Sequence, residues 1–547
     1  MRAGLPPITL WRWLLAMLPV AALAGLVLWG RYKTAVNALI TVAAAVAVGA
    51  LAFGAGPAVL GVGLGKGVWT GVWILYVVWT ALLLYQLSRR AGLAELGGAF
   101  SSILPRPVEN VLVVAWVFPT FVQGVAGFGT PIAVSAPLLA SMGYGPVQAV
   151  AFPLIGYHWS VTFGSMGSSF YMGAFTAGLS NGEIHHYATA AALLLGANAI
   201  VSGALVCLMH GGLASLRQGA RMVAMVGPMM AAGMLLSVQI EPSIGGLAAG
   251  AAGFVGVALL RALTNGRGAA GEAPTEPTRA AVAGASTTAT ATAAAAPQEA
   301  QRRRAMLVLL PYVYLLVVVL AVLVPAASRA WVKANVLVGP SFGATRTAYG
   351  LANPPVHRYT PIALLSHPGT YILLAALLGL LTYRAAGLWP RGKLGEAVRD
   401  WRRQAWAASP SIVALAAVAT VMVDSGMVRT IAVGAAEATG RAFPAIAGLI
   451  GALGSFTTGS TTSSNALFSA LQRDVAMLIG DRPADLLAAQ TSGGNIGNSL
   501  APVVILIGLT AIGARDRVGE VLRTTLLPAA VLLLVVAAGT LLLVARW

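Results

Sequence analysis

Apolar runs long enough to cross a bilayer recur from one end of this chain to the other. They fall near 11–29, 35–53, 68–87, 188–209, 222–238, 244–263, 306–326, 370–388, 405–423 and 526–545, with shorter or broken runs over 108–175 and 430–512. Backbone in hydrocarbon must bond to itself, so the predicted fold class is an all-α polytopic membrane protein. A span takes about 20 residues; with allowance for tilt and re-entrant pieces, the runs predict about 12 to 14 transmembrane helices. Composition agrees: 58% of the residues are hydrophobic and 9% charged, where a soluble protein carries about one quarter charged residues.

The net charge of +18 over 547 residues would point to nucleic acid in a soluble protein. Here the basic residues gather in short loops between apolar runs: Arg31 and Lys33, Arg89 and Arg90, Arg302 to Arg304, and Arg391 to Arg403. Such clusters are topology signals held on the cytoplasmic side. Placing them there puts the N-terminus and the 327–367 loop outside. The first run is longer than the roughly 7–15-residue core of a signal peptide. It enters a basic loop without a small-x-small cleavage site, so it is expected to be a first transmembrane helix. The single cysteine, Cys207, lies in an apolar run and reads as a small hydrophobe.

Residues 264–304 form a low-complexity stretch rich in Ala, Thr, Pro and Gly, too poor in large apolar side chains to fold alone. It is expected to be a flexible cytoplasmic linker between an N-terminal transmembrane half (1–263) and a C-terminal half (305–547). The halves share a pattern. Phe121 and Phe456 each open Phe-x-x-Gly, and small and polar residues follow. A turn comes next (Gly145-Pro146; Asp481-Arg482-Pro483), with a glycine ten residues beyond its proline, Gly156 and Gly493. With a two-residue gap, His158 falls opposite Asn495.

Each half carries a polar, glycine-rich interruption of its apolar helices. The first is Phe121-Val-Gln-Gly-Val-Ala-Gly-Phe-Gly-Thr-Pro131. Pro131 lacks a donor and clashes with the preceding turn, so the helix should break near Thr130. A helix N-terminus there offers free N–H groups and partial positive charge, suited to a carboxylate. Close packing through small residues is the alternative, although Gly-Phe-Gly-Thr-Pro with Gln123 beside it is denser than packing needs. The second interruption runs Ser460-Thr-Thr-Ser-Ser-Asn465. Hydroxyls can bond back to their own helix, but six polar residues in a row exceed what one helix face hides from lipid. Thr491-Ser-Gly-Gly-Asn-Ile-Gly-Asn498 repeats the pattern. Paired interruptions of this kind mark the substrate site of transporters built from repeats.

Ionisable residues inside spans are functional candidates. His158 either binds a carboxylate, carries a proton, or is a neutral core histidine. Asp424 is either a coupling acid or a helix-end residue facing a loop, with Arg429 as a candidate counter-charge. His185 and His186 read as a surface loop. Metal-ligand spacing, a P-loop and a nucleophile elbow are all missing from the sequence, so no ATP-driven pump or enzyme is expected.

At these residues the chain resembles the bacterial L-lactate permease family of lactate and glycolate symporters. The matching stretches are Phe121 to Gly167 and Gly451 to Gly513. The resemblance implies proton-coupled uptake of a short 2-hydroxymonocarboxylate (L-lactate, D-lactate or glycolate) across the bacterial inner membrane, with no cofactor. It also implies kinship with transporters whose inverted repeats carry paired hairpins with Ser-Asn-Thr-like tips. The expected substrate-binding set is Gln123, Gly127, Gly129, Thr130, His158 and Ser160 from the first half. From the second come Ser460, Thr461, Thr462, Ser463, Asn465, Asn495 and Asn498. His158 and Asp424 are the ion-coupling candidates, and a homo-oligomer is left open. The family usually has an acid where this chain has Gln123, and Asn-x-Ala-Pro-Val where it has Tyr157-His158-Trp159-Ser160-Val161. A sodium-coupled carrier, a permease for acetate or a dicarboxylate, and a passive channel are the alternatives.

Overall fold

The computed structural model describes residues 4–29, 31–93, 104, 106–127, 129–268, 289–390 and 392–546. Among these, ten helices are long and apolar enough to span a membrane, or eleven if a bent pair (Pro483–Leu500 with Pro502–Ala511) counts as one span. The number falls below the 12 to 14 expected for two reasons. Several polar-interrupted pieces are half-length, and the runs at 188–209 and 222–238 lie in one continuous element, Asn181–Val238. That element reverses at Gly211 and Gly212, whose backbones leave the helical region (φ −168°, ψ 34°; φ 62°, ψ −150°). Its legs pack antiparallel: a Cβ on Gly196 would lie 3.0 Å from Ala231, and one on Gly227 would lie 3.1 Å from Ile200. The linker expected at 264–304 lies over 269–288 outside the described residues. Helix Gly245–Gly268 enters it from one side and helix Ala289–Leu323 leaves it on the other.

Helix Pro57–Ala91 runs antiparallel along Leu394–Asp424 with almost no side chain between them. A Cβ on Gly63 would sit 3.1 Å from the Val421 backbone, one on Gly67 2.2 Å from Ala417, and one on Gly71 2.9 Å from Val413. Glycines four apart make one smooth stripe, the feature that lets membrane helices approach this closely. Helix Thr34–Phe53 flanks the pair.

The interrupted helices lie beside this pair. The first half runs helix Pro107–Val125, a break, helix Thr130–Ser141, a turn, helix Pro146–Tyr157, a longer break and helix Ser168–Thr176. The second runs Phe443–Thr458, a break, Thr461–Ile479, a turn, Pro483–Leu500, a break and Pro502–Ala511. Gly156 and Gly493, the glycines aligned from sequence, make the same kind of contact. A Cβ on Gly156 would lie 2.0 Å from the Ala115 carbonyl oxygen, and one on Gly493 would lie 1.7 Å from that of Gly448. Each is pressed against the helix that opens its half's interrupted region. In the first half that helix carries a π-turn over Val113–Val117, where Pro119 cannot donate to the Ala115 carbonyl.

The 327–367 loop is folded. Helix Ala326–Ala334 precedes two antiparallel strand pairs, Leu337–Val338 with Ile362–Ala363 and Thr345–Arg346 with Ala352–Asn353. The loop covers one end of the bundle: Asn353 donates to the Asp424 carbonyl (3.0 Å), and Gly4 lies against Leu351. At the opposite end Arg90 pairs with Asp400 (2.7 Å) and Tyr383 donates to the Val308 carbonyl (2.7 Å). The described basic clusters, with Arg31 and Lys33 at the far end of Thr34–Phe53 from Gly54, therefore share one end. Arg391 lies outside the described residues.

Candidate functional site

The helix breaks meet around one cavity of about 160 Å³, roughly ten times the 10–15 Å³ that a single water needs. Each break gives it the end of one helix and the start of the next. From the first, Gln123 and Gly129 line the cavity; from the second, Tyr157, Val161, Ser165, Ser168 and Ser169. Gly459, Ser460, Thr461 and Thr462 come from the third, and Asn498, Val503, Val504 and Ile507 from the fourth. None of these described lining residues is charged.

Local sequence explains each break. Gly129 adopts φ 82°, in the left-handed region that favours glycine, and Pro131 sits in the first turn of the helix it starts. Ser165, Met166 and Gly167 take φ 46°, 52° and 74° in succession. Two of these are not glycine, and backbone held this way concentrates at ligand sites. Gly459, at φ 69°, ends one helix, and Ser460 caps the next by accepting the Ser463 N–H (3.3 Å). Ala501-Pro502 makes the fourth break, with Pro502 as the first helical residue.

The consequence is electrostatic. Four helices begin at the cavity, at Thr130, Ser168, Thr461 and Pro502. The first N–H groups of a helix lack intrahelical partners, and the dipole adds about half a positive charge at each N-terminus. Four helices also end there, presenting carbonyls, so one cavity offers donors to an anion and acceptors to a proton or cation. The Thr461 hydroxyl is buried and bonds nothing within the protein.

A buried polar network lies behind the lining and joins the halves. Ser169 and Thr462 share a hydroxyl–hydroxyl bond of 2.8 Å. The Asn465 amide donates to the Ser169 carbonyl (2.9 Å) and to Thr491 (2.8 Å). Thr162 bonds Thr491 (2.8 Å) and donates to Asn495 (3.0 Å), whose amide donates to the Trp159 carbonyl (3.2 Å).

Gln123, Gly129, Ser460, Thr461, Thr462 and Asn498 from the sequence-derived set thus line the cavity. Gly127 supports it by donating its N–H to Ser165 Oγ (2.8 Å). Thr130 opens its helix, and Ser463 supplies the capped N–H. Asn465 and Asn495 belong to the network. Ser160 is turned to its own backbone, donating to the Tyr157 carbonyl (2.8 Å). His158 is buried away from the lining; Nδ1 lies 2.9 Å from the Ile155 carbonyl and Nε2 is unbonded. Asp424 is held at both oxygens by Lys66 (2.9 and 3.1 Å), under the folded loop and apart from the cavity. Lys66, a lone lysine in a Gly-rich run, is therefore the counter-charge in place of Arg429. The sequence reading also missed Ser165, Ser168 and Ser169; their signal was the short polar run Gly164-Ser-Met-Gly-Ser-Ser169. His185 and His186 are exposed in the first turns of a helix capped by Ser180 and Glu183.

Fold and cavity together define a class, a polytopic membrane carrier that holds a small uncharged site between unwound helices. Residues 12–546 match the family model described as L-lactate permease. Relatives include the Escherichia coli (strain K12) glycolate permease GlcA, 26% identical over 94% of this chain and 92% of that one. The L-lactate permease of the same strain is 27% identical over the same shares. A solved structure, that of the Alcanivorax borkumensis YdaH transporter, is 14% identical with a TM-score of 0.45, covering 88% of this chain and 87% of that one. The chain belongs to the L-lactate permease family and is a transporter, not an enzyme.

Proposed function

We propose that the chain imports L-lactate, or a close 2-hydroxymonocarboxylate such as glycolate or D-lactate, across the bacterial inner membrane in symport with protons. The observation that carries this is the convergence of four helix N-termini on one uncharged cavity. Those N-termini and the hydroxyls of Ser168, Ser460, Thr461 and Thr462 replace water around a carboxylate and a 2-hydroxyl. Val161, Val503, Val504 and Ile507 form the apolar wall against the carbon end. With no basic side chain among its described lining residues, the cavity has no locus for a second carboxylate, which favours a monocarboxylate. The matched order of breaks supports reading the two halves as repeats, with the site at their interface.

The test is uptake of labelled L-lactate, D-lactate, glycolate and acetate into proteoliposomes under an imposed proton or sodium gradient. Accumulation of a 2-hydroxy acid above equilibrium, driven by protons alone, is the expected outcome. Equilibration without accumulation would make the protein a passive channel. Transport of acetate with exclusion of every 2-hydroxy acid would sink the substrate assignment.

A further inference from the structure

Gln123 and the other described lining residues carry no charge, yet a buried carboxylate lies behind the second break, on another element. Glu241 lies in the turn between the helical hairpin Asn181–Val238 and helix Gly245–Gly268 and is 4% exposed. One carboxylate oxygen accepts a hydrogen bond from the Tyr171 hydroxyl. The other is 3.4 Å from the Lys333 ammonium, whose side chain is half-exposed. The Tyr371 hydroxyl is buried and has no hydrogen-bond partner within the protein. Tyr171 stands one helical turn from Ser168, on the helix whose first residues line the cavity. The Glu241 turn touches that same break: a Cβ on Gly167 would lie 3.3 Å from Ser243 Cα.

Resting on the symport reading above, we propose that Glu241 is the proton-carrying group of the transport cycle and that Tyr171 relays its state to the cavity. The charges balance. Ionised Glu241 and Lys333 cancel, and the described lining of the cavity is uncharged. A proton bound to Glu241 leaves Lys333 uncompensated, a net +1 that offsets the −1 of an entering monocarboxylate. Protonation also removes the anionic acceptor that Tyr171 holds, loosening helix Ser168–Thr176 from helix Ala326–Ala334 as substrate binds. Deprotonation on the far side restores the pair and releases proton and anion together. Other buried acids are worse placed. Asp424 pairs with Lys66 away from the cavity; Asp474, paired with Arg473 (2.6 Å), Asp485 and Glu109 each lie about 20 Å along their helices from the lining residues Thr461, Asn498 and Gln123 by the 1.5 Å rise per residue.

The experiment compares wild type, Glu241→Gln and Glu241→Asp in proteoliposomes, reading lactate counterflow and accumulation driven by a proton gradient. The Gln variant is expected to exchange lactate but to lose accumulation, its internal-to-external ratio falling to about one, while the Asp variant accumulates. Full proton-driven accumulation by the Gln variant would overturn the assignment. If the Gln variant shows no counterflow, the Asp variant decides: a displaced pH profile of counterflow supports the role, and an unchanged profile overturns it. Wild type that exchanges neither lactate nor glycolate counts against the substrate alone, and Glu241 is then judged by the same variants on whichever carboxylate the wild type exchanges.

Discussion

At Gly493 the gap between two helices is narrower than one methyl group. A Cβ there would lie 1.7 Å from the Gly448 carbonyl oxygen, whereas Gly145 has open space around it. Gly493→Ala must push two buried backbones apart, so its cost belongs at or above the upper end of the roughly 1–3 kcal/mol range of overpacking. Thermal unfolding of detergent-purified protein should show a clear drop for Gly493→Ala and none for Gly145→Ala. Thr461 allows binding to be separated from stability. Its hydroxyl has no partner in the protein, so the near-isosteric Thr461→Val should leave the melting temperature in place. It should raise the KM for uptake about fivefold, the equivalent of one hydrogen bond of about 1 kcal/mol. An unchanged KM would remove Thr461 from the site. Ser460→Ala should behave differently. It loses the cap on the Ser463 N–H as well as a lining hydroxyl, so affinity should fall together with about 0.5–2 kcal/mol of stability. How legible such residues are in sequence depends on local density. The Ser460 to Asn465 run stands out because lipid penalises six consecutive polar groups. Ser168 and Ser169 do not, since two serines after a glycine look like helix packing until the left-handed backbone at Ser165 to Gly167 turns them inward. Glu241, proposed above as the proton carrier, directly precedes Pro242, and nothing in the local sequence signals its burial.

Between elements, a buried ion pair, Lys66 with Asp424, joins helix Pro57–Ala91 to Leu394–Asp424. Both side chains are nearly inaccessible, 10% and 7% exposed. Removing one partner strands the other charge, a cost of about 3–5 kcal/mol, whereas replacing both with apolar residues of similar size is close to neutral. Lys66→Ala should therefore depress the melting temperature strongly, and Lys66→Met with Asp424→Leu should recover most of it. If the double variant still accumulates substrate under a proton gradient, Asp424 carries no necessary coupling role. Loss of coupling with stability intact would return Asp424 to the candidates. Apolar length made the pair of helices legible but not their pairing. The glycine stripe at Gly63, Gly67 and Gly71 acquires meaning only once a partner lies on it. Hydropathy did separate the two legs that meet at Gly211 and Gly212; where it overcounted was at the breaks, since it registers apolar length and cannot tell half-length helices from spans.

For the whole molecule, charge asymmetry turns a bundle into an oriented one. The basic clusters share the end opposite the folded 327–367 loop, as the loop positions of Lys and Arg predict, and the positive-inside rule places that end in the cytoplasm. Because Cys207 is the sole cysteine and is buried, a Cys207→Ser background supports site-directed labelling. In intact cells a membrane-impermeant maleimide should react with Gly350→Cys and spare Gly387→Cys until the membrane is opened; the reverse pattern would invert the topology. The uncharged cavity also bears on how such a protein diversifies. In the proposed mode of binding the anion is held by peptide groups at four helix starts, and no substitution other than to proline removes a peptide N–H. Replacements along Tyr157, Val161, Val503, Val504 and Ile507 can therefore reshape the space beyond the carboxylate while its anchor persists. A lineage built this way can drift between acids of different chain length without passing through an ancestor that binds none of them.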